Sequence, residues 1–201
     1  MTDDPDDVGA LGVVVERDRG SLPFALLHGE PLVACAAWAM GEAGVHLVDL
    51  TTPWAAVQEA GLPFVWHDAL CPAAPPELIA TCVRRAVEHD HVVAAVLAVT
   101  DTVKELVGGS AGPVVRATLD RDGLRHLVSP LVLPAGVVAS LGDWPAADFS
   151  AALAALRAGH PVELVEAPAS AGRVHDLADV TRLAALTAPR EPPRRPDPWR
   201  P

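Results

Sequence analysis

Apolar runs alternate with amphipathic stretches along most of the chain. Short β-branched or continuous apolar runs predict buried strands, and apolar residues recurring every three to four positions predict helices. Strands are predicted at residues 11–15, 45–50, 64–67, 92–99 and 162–166. Helices, several with Pro at the start and Gly at the end, are predicted at residues 31–44, 53–60, 76–89, 149–158 and 177–187. This alternation predicts an α/β fold.

The pattern changes after the run at 92–99, which is apolar enough for a central strand covered on both faces. A glycine-rich segment at 108–112 predicts a turn, and residues 114–118 predict an exposed strand. The Asp122-Gly123 pair predicts a hairpin whose return strand is 124–133. We therefore expect an extended β-arm at about residues 101–131.

The chain length suits one α/β domain, which we place at residues 1–188. Residues 189–201 are mostly Pro and Arg and offer little to bury, so we predict a disordered tail. The start is acidic without the pattern of a signal peptide, and no apolar run reaches the roughly 20 residues of a membrane span. A cytoplasmic protein is the expectation.

Charge and cysteine usage narrow the function. The net charge of −11 argues against a general binder of nucleic acid or anionic membranes, although a local nucleotide site remains compatible with it. Cys35, Cys71 and Cys82 are odd in number and show no C-x-x-C spacing, which indicates neither a disulfide framework nor a zinc ribbon. A zinc cluster of other spacing is an alternative, although it would match no recognised finger; its members would be His67, Cys71, Cys82, His89 and His91.

Four short motifs carry the chemistry of this chain. They are H-D-A-L-C-P at 67–72, V-T-D-T-V-K at 99–104, D-R-D-G-L at 120–124 and, after four further residues, S-P at 129–130. Together they resemble the cytidylyltransferases that activate 2-C-methyl-D-erythritol 4-phosphate in non-mevalonate isoprenoid synthesis. That family has H-D-A-A-R-P, V-x-D-T-x-K, D-R-x-G-L and T-P-Q in the same order.

The resemblance implies a Rossmann-like, mostly parallel sheet with helices on both faces and an arm that crosses to a second subunit, which makes a dimer. It also implies transfer of CMP from CTP to a sugar or polyol phosphate with Mg²⁺. Such a reaction needs neutralised triphosphate charge, a bridging metal and an acceptor phosphate held in line.

By this resemblance, Asp68 binds the metal and ribose, although it could also simply cap the turn after its strand. Thr102 contacts the acceptor, or is only a turn residue. Arg121 reaches the substrate phosphate across the dimer, or is only a solvated hairpin charge. Arg173 replaces a family lysine and can still bind phosphate with different geometry.

Two further positions correspond to acceptor-binding residues of the family. Ser129 keeps a hydroxyl where the family has threonine. Asp148 lies in the segment that reads T-D-D/E in the family, but the threonine is lost here.

The main departures are at the N-terminus, where the family has a glycine-rich phosphate loop and a lysine. Here Arg17, Arg19 and Gly20 are the candidate nucleotide-binding residues, in a shorter loop. Cys71 replaces the arginine that holds the acceptor phosphate, and residues 49–62 lack the family's Gly-Gly segment. We therefore expect any anion site near Arg121, Arg173 and Thr102 rather than near Gly20.

These losses favour a diverged, catalytically impaired member that acts as a binding or regulatory dimer, either a homodimer or a heterodimer with a paralogue. The alternative is an active nucleotidyltransferase that uses CTP and 2-C-methyl-D-erythritol 4-phosphate or a related phosphate. A third possibility is a sugar-phosphate binder that keeps only the acceptor side.

Overall fold

The computed structural model describes residues 9–109 and 112–188. The strands are β1 Ala10–Val15, β2 Leu26–Leu27, β3 Glu30–Pro31, β4 Val45–Leu47, β5 Phe64–Asp68, β6 Val92–Ala98, β7 Val103–Gly109, β8 Gly112–Leu119, β9 Arg125–Leu133 and β10 Val162–Glu166. The helices are α1 Leu32–Glu42, α2 Trp54–Glu59, α3 Pro76–His89, α4 Ala135–Ser140, α5 Phe149–Leu156 and α6 Leu177–Thr187.

A six-stranded sheet in the order β10-β6-β9-β5-β1-β4 forms the centre of the fold. All neighbouring strands are parallel except β9, which runs antiparallel between β5 and β6. This arrangement confirms the predicted α/β fold with a mostly parallel sheet. The register pairs Val15 at the end of β1 with Asp68 at the end of β5. The loops that follow these two parallel strands therefore both begin at the carboxyl edge of the sheet.

Helices cover the sheet on both faces, as predicted. On one face α1 and α3 pack through residues such as Met40 and Ile79, both fully buried. On the other face α2, α4 and α5 enclose a group of aromatic side chains; its members are Trp54, Phe64, Trp66, Trp144 and Phe149. A smaller apolar cluster joins α6 to the loop that follows β5 through Leu70 and Leu183.

The arm differs from its prediction in which strands pair. β7 and β8 form a separate two-stranded antiparallel sheet, in which Val103 pairs with Leu119. The predicted pairing of the 124–133 strand within this hairpin is wrong, because β9 instead pairs with β5 and β6. The physical reason is that residues 128–133 are all buried, and the sheet centre is the place where such a strand loses its contact with water.

Other differences are local. The strand predicted at 45–50 ends at Leu47, and the sequence interpretation omitted β7 and α4. The predicted disordered tail at 189–201 lies outside the described residues. Among the helices that are described, none has both the length and the apolar character needed to cross a bilayer.

Candidate functional site

The site is built around Asp68, the last residue of β5, at the carboxyl edge of the sheet. Its backbone N–H donates to Ser129 Oγ at 2.9 Å, and its Oδ1 accepts from the Leu70 N–H at 3.0 Å. The side chain is only 4% exposed. Ligands bind at this edge in open α/β sheets, and the two backbone contacts fix the carboxylate there.

Two arginines hold the Asp68 carboxylate. Arg19, from the loop after β1, donates from Nε to Oδ1 at 3.1 Å and from Nη2 to Oδ2 at 3.2 Å. Arg173 donates from Nε to Oδ2 at 3.0 Å. Its segment is held against the loop after β5 by the Val174 N–H, which donates to the Leu70 carbonyl at 2.8 Å. The carboxylate is therefore bound from both sides.

Arg19 is held more firmly than Arg173. Its Nη2 also donates to the Ala147 carbonyl at 2.8 Å, and its Nη1 donates to the carbonyl of Arg17 at 3.1 Å. Its side chain is 8% exposed, against 32% for Arg173. Arg173 is thus the side chain with more freedom to turn towards a ligand.

Electrostatics keep Asp68 ionised. Burial alone would raise the pKa of its carboxyl, but hydrogen bonds from Arg19, the Leu70 N–H and Arg173 outweigh this and hold the pKa below its ordinary value. At neutral pH the site therefore contains one carboxylate between two guanidinium groups.

His67 and Ser129 form a buried hydrogen-bonded pair next to Asp68. Ser129 Oγ lies 2.6 Å from His67 Nδ1, and both side chains are fully buried. The Ser129 oxygen also accepts from the Asp68 N–H, so the serine hydroxyl links the imidazole to the backbone of Asp68. Burial lowers the pKa of His67 to about 4, so the imidazole is neutral at neutral pH.

A polar cavity of about 420 Å³ opens over Asp68. We call it the arginine pocket; its charged, imidazole and hydroxyl members are Arg19, Asp68, Arg125, His126, Ser129, Asp148, Ser150, Arg173 and His175. Asp148 also caps α5, because its Oδ1 accepts from the Ala151 N–H at 2.7 Å. The arrangement offers several cationic donors to a small anion.

Comparisons with known proteins found similarity in sequence over part of the chain and in fold over most of it. No family model matches the chain. The 2-C-methyl-D-erythritol 4-phosphate cytidylyltransferase of Bordetella petrii is 37% identical over 105 residues, which cover 49% of this chain and 44% of that protein. The chain thus matches less than half the length of this curated relative.

Solved structures share the fold over nearly the whole described chain. The 2-C-methyl-D-erythritol 4-phosphate cytidylyltransferase of Thermus thermophilus matches with a TM-score of 0.62 and 19% identity, over 87% of this chain and 96% of that one. The 4-diphosphocytidyl-2C-methyl-D-erythritol synthase of Anaerococcus prevotii matches with a TM-score of 0.59 and 14% identity, over 88% and 96%. The chain therefore shares the fold of these enzymes, and about half of it is similar in sequence to one 2-C-methyl-D-erythritol 4-phosphate cytidylyltransferase.

The structure brings together only some of the residues predicted from the resemblance. Asp68, Ser129, Asp148, Arg19 and Arg173 all line the arginine pocket. The structure places Arg19 of the N-terminal loop beside Arg173, on one shared carboxylate. The expectation that an anion site lies near Arg121, Arg173 and Thr102 rather than near Gly20 stays a prediction.

The remaining predicted residues lie elsewhere in the chain. Arg121 is exposed and donates to the carbonyl of Thr100, and Thr102 is exposed at the start of the arm. Arg17 and Gly20 are exposed in the N-terminal loop, where Gly20 has a φ of +59°. The predicted role of Arg121 across a dimer, and those of Thr102, Arg17 and Gly20, stay predictions.

The sequence interpretation missed Arg125, His126 and His175, which also line the pocket. Arg125 and His126 directly follow the D-R-D-G-L motif at 120–124. Their position next to that motif could have identified them as candidates from the sequence. Cys71 also lines the pocket, and burial raises the pKa of its thiol to about 12, so it contributes no charge.

The chemistry of the donor set does not fit a Mg²⁺ ion held by the protein alone. Asp68 was the predicted ligand, but both of its oxygens already accept from guanidinium groups. Within residues 9–109 and 112–188, no three His, Cys, Asp or Glu side chains are grouped so that they could hold a metal, which also speaks against the alternative zinc cluster. The metal role of Asp68 stays a prediction.

Proposed function

We propose that the arginine pocket binds the phosphate group of a small sugar or polyol phosphate, and that the protein is a diverged cytidylyltransferase-family member in which binding predominates over CMP transfer. One observation carries the proposal. Arg19 and Arg173 converge on a single buried carboxylate, Asp68, inside a polar cavity. Guanidinium groups arranged around an oxyanion are the usual means by which proteins hold phosphate.

The surroundings favour binding over transfer. Transfer from a nucleoside triphosphate needs preorganised donors along the triphosphate. The loop after β1 contains Glu16 and Asp18, which repel phosphate, and its glycine content is limited to Gly20. Cys71 is a buried neutral thiol where the resemblance implies an arginine. These features support an impaired transfer reaction.

An active cytidylyltransferase is the second candidate, and the 37% identity to the Bordetella petrii enzyme over half the chain favours it. In that case CTP and 2-C-methyl-D-erythritol 4-phosphate, or a related phosphate, are the substrates. Mg²⁺ would be needed, and the triphosphate would have to supply most of its ligands because Asp68 is already paired.

A dimer formed through the arm, either of two identical chains or with a paralogue, is part of the proposal. Leu106, Val107, Val114, Val115 and Leu119 of β7 and β8 are 39–57% exposed. A two-stranded sheet is marginal on its own, and a second subunit would cover this apolar surface. The expected cytoplasmic location stays a prediction.

Titration calorimetry on the full chain tests the function. We expect measurable binding of 2-C-methyl-D-erythritol 4-phosphate and of inorganic phosphate. We also expect pyrophosphate release from CTP, 2-C-methyl-D-erythritol 4-phosphate and Mg²⁺ together to be no faster than in an Asp68→Ala control. Release far above that control would favour the active enzyme. If neither phosphate compound binds, the proposed phosphate site is wrong.

A further inference from the structure

Arg125, the first residue of β9, differs from the other two arginines of the pocket in how its charge is balanced. Its Nη1 donates to the carbonyls of Asp122 and Leu124, both at 2.8 Å. No carboxylate of the described residues forms an ion pair with it, whereas Arg19 and Arg173 both pair with Asp68. Backbone carbonyls hold the guanidinium in place without neutralising it.

The remaining donors of Arg125 are therefore available. A guanidinium has five N–H groups, and the two carbonyl contacts involve Nη1 alone. Nε and Nη2 have no hydrogen-bond partner among the described side chains and backbone groups. An anion that enters the pocket competes with Asp68 for Arg19 and Arg173 but has no such competitor at Arg125.

Arg121 lies only four residues earlier and has a different environment. Its guanidinium donates to the Thr100 carbonyl at the base of the arm, and the residue does not line the pocket. A single chain thus places Arg125, and not Arg121, in the cavity that also contains Asp68.

We propose that Arg125 is a phosphate-binding residue, and that Arg125 and Arg173 together complete a phosphomonoester site within a single chain. This inference rests on the proposed function and adds to it a third arginine, whose charge no carboxylate of the described residues balances. Binding then needs no arginine from a second subunit, even where the arm forms a dimer.

The test compares Arg125→Gln with the matched control Arg84→Gln, and with Arg121→Gln, whose arginine the resemblance assigns to the substrate phosphate, on the full chain. Titration calorimetry measures the affinity for 2-C-methyl-D-erythritol 4-phosphate and for inorganic phosphate, and light scattering measures the oligomeric state of each sample. We expect Arg125→Gln to weaken binding by about tenfold or more. Arg84→Gln should change it by less than about twofold, because Arg84 is exposed, donates to Thr81 and does not line the pocket. Arg125→Lys should recover part of the lost affinity, because it restores the charge without the fork geometry.

Failure of this inference can be told apart from failure of the proposed function. If the unaltered protein binds both phosphate compounds and Arg125→Gln binds them equally well, Arg125 has no such role and only this inference falls. The same conclusion follows if Arg121→Gln is the variant that loses binding. If the unaltered protein binds neither compound, the proposed function falls and this inference falls with it.

Discussion

Arg19 donates hydrogen bonds from Nε and Nη2 to the two oxygens of Asp68, at 3.1 and 3.2 Å, across a sequence separation of 49 residues. The contact exists because β1 and β5 are neighbours whose register sets Val15 beside Asp68. Both side chains are under 10% exposed, at 8% and 4%. Removing one member of a buried ion pair leaves an uncompensated charge, so we expect the loss of either partner alone to destabilise the fold. We also expect the pair to lower the affinity of the pocket for other anions, because Asp68 occupies the donors that an anion would use.

Asp68→Asn should therefore have two opposite effects. The free energy of unfolding should fall by about 3 kcal/mol, because the Arg19 guanidinium stays buried without its counter-charge. Affinity for inorganic phosphate should rise by about tenfold. The anion then no longer competes with a carboxylate for Arg19 and Arg173, and the carboxylate no longer repels it. Urea denaturation and titration calorimetry measure the two effects. Weaker phosphate binding in this variant would contradict the role of Asp68 as an internal competitor.

Asp148→Asn provides a matched control in the same pocket. Asp148 is exposed and caps α5, and asparagine caps helices about as well as aspartate. Stability should change by less than about 0.5 kcal/mol. Phosphate affinity should also rise less than in Asp68→Asn, because Asp148 forms no ion pair with the pocket arginines.

His67 should make the stability of the protein depend on pH. Burial lowers its pKa from 6.5 to about 4 in the folded protein, so the unfolded chain binds the proton more readily. Stability is therefore complete above pH 6.5 and is lost as the pH falls towards 4, by about 3 kcal/mol in total. Asp68, whose pKa is lowered, adds a further loss at still lower pH.

Urea denaturation between pH 7 and pH 4.5 measures this loss, with His67→Gln as the comparison. Glutamine can still accept from Ser129 but does not titrate, so the variant should show a flatter pH profile than the unaltered chain. Equal slopes for the two proteins in this window would assign the pH dependence to other groups.

The sequence predicted correctly the limits of those elements that have characteristic residues at their ends. The helix at 76–89 has a proline at its start and an apolar face that includes Ile79 and Cys82, and α3 has the predicted limits. It ends at Asp90, which adopts a left-handed φ of +54°. Periodicity and terminal residues are sufficient for such a helix because its pattern does not depend on distant partners.

The pattern of apolar and polar residues did not predict which strands pair or which distant side chains meet. The Asp122-Gly123 pair indicated a turn, and Leu124 N–H does donate to the Arg121 carbonyl at 2.9 Å, but the strand partner of β9 is decided by burial in the central sheet. Likewise, motif comparison placed Asp68 at the site, whereas the convergence of Arg19 and Arg173 on it depends on the register of β1 and β5. The hydrophobic pattern fixes which face of each strand is buried, but it does not fix a shift of β1 along β5 by two residues, and no hairpin turn joins these strands.

Val115→Glu tests the arm as a dimer surface. Val115 pairs with Leu106 across the arm, and both side chains are 57% exposed. A glutamate there should shift the protein to monomers in light scattering at micromolar concentration, while the free energy of unfolding of the monomer changes by less than about 0.5 kcal/mol. Arg116→Gln, on the neighbouring residue of β8, should leave the dimer intact. A monomer in the unaltered protein, with no partner present, would count against the arm as an interface.

Gly12→Ala tests how tightly the sheet positions the site. A Cβ on Gly12 would lie 2.5 Å from Met40 Cε, 2.7 Å from Val45 Cγ1 and 2.9 Å from the Val65 carbonyl oxygen. The methionine can move but the carbonyl of β5 cannot, so we expect a loss of about 1–3 kcal/mol in unfolding free energy. β1 must shift to relieve the contact, which carries Arg19 away from Asp68 and should also weaken phosphate binding. Gly41→Ala in α1 is the control, because a Cβ there meets nothing within 4 Å. Equal stability of the two variants would mean that the space beside Gly12 adapts more freely than these distances indicate.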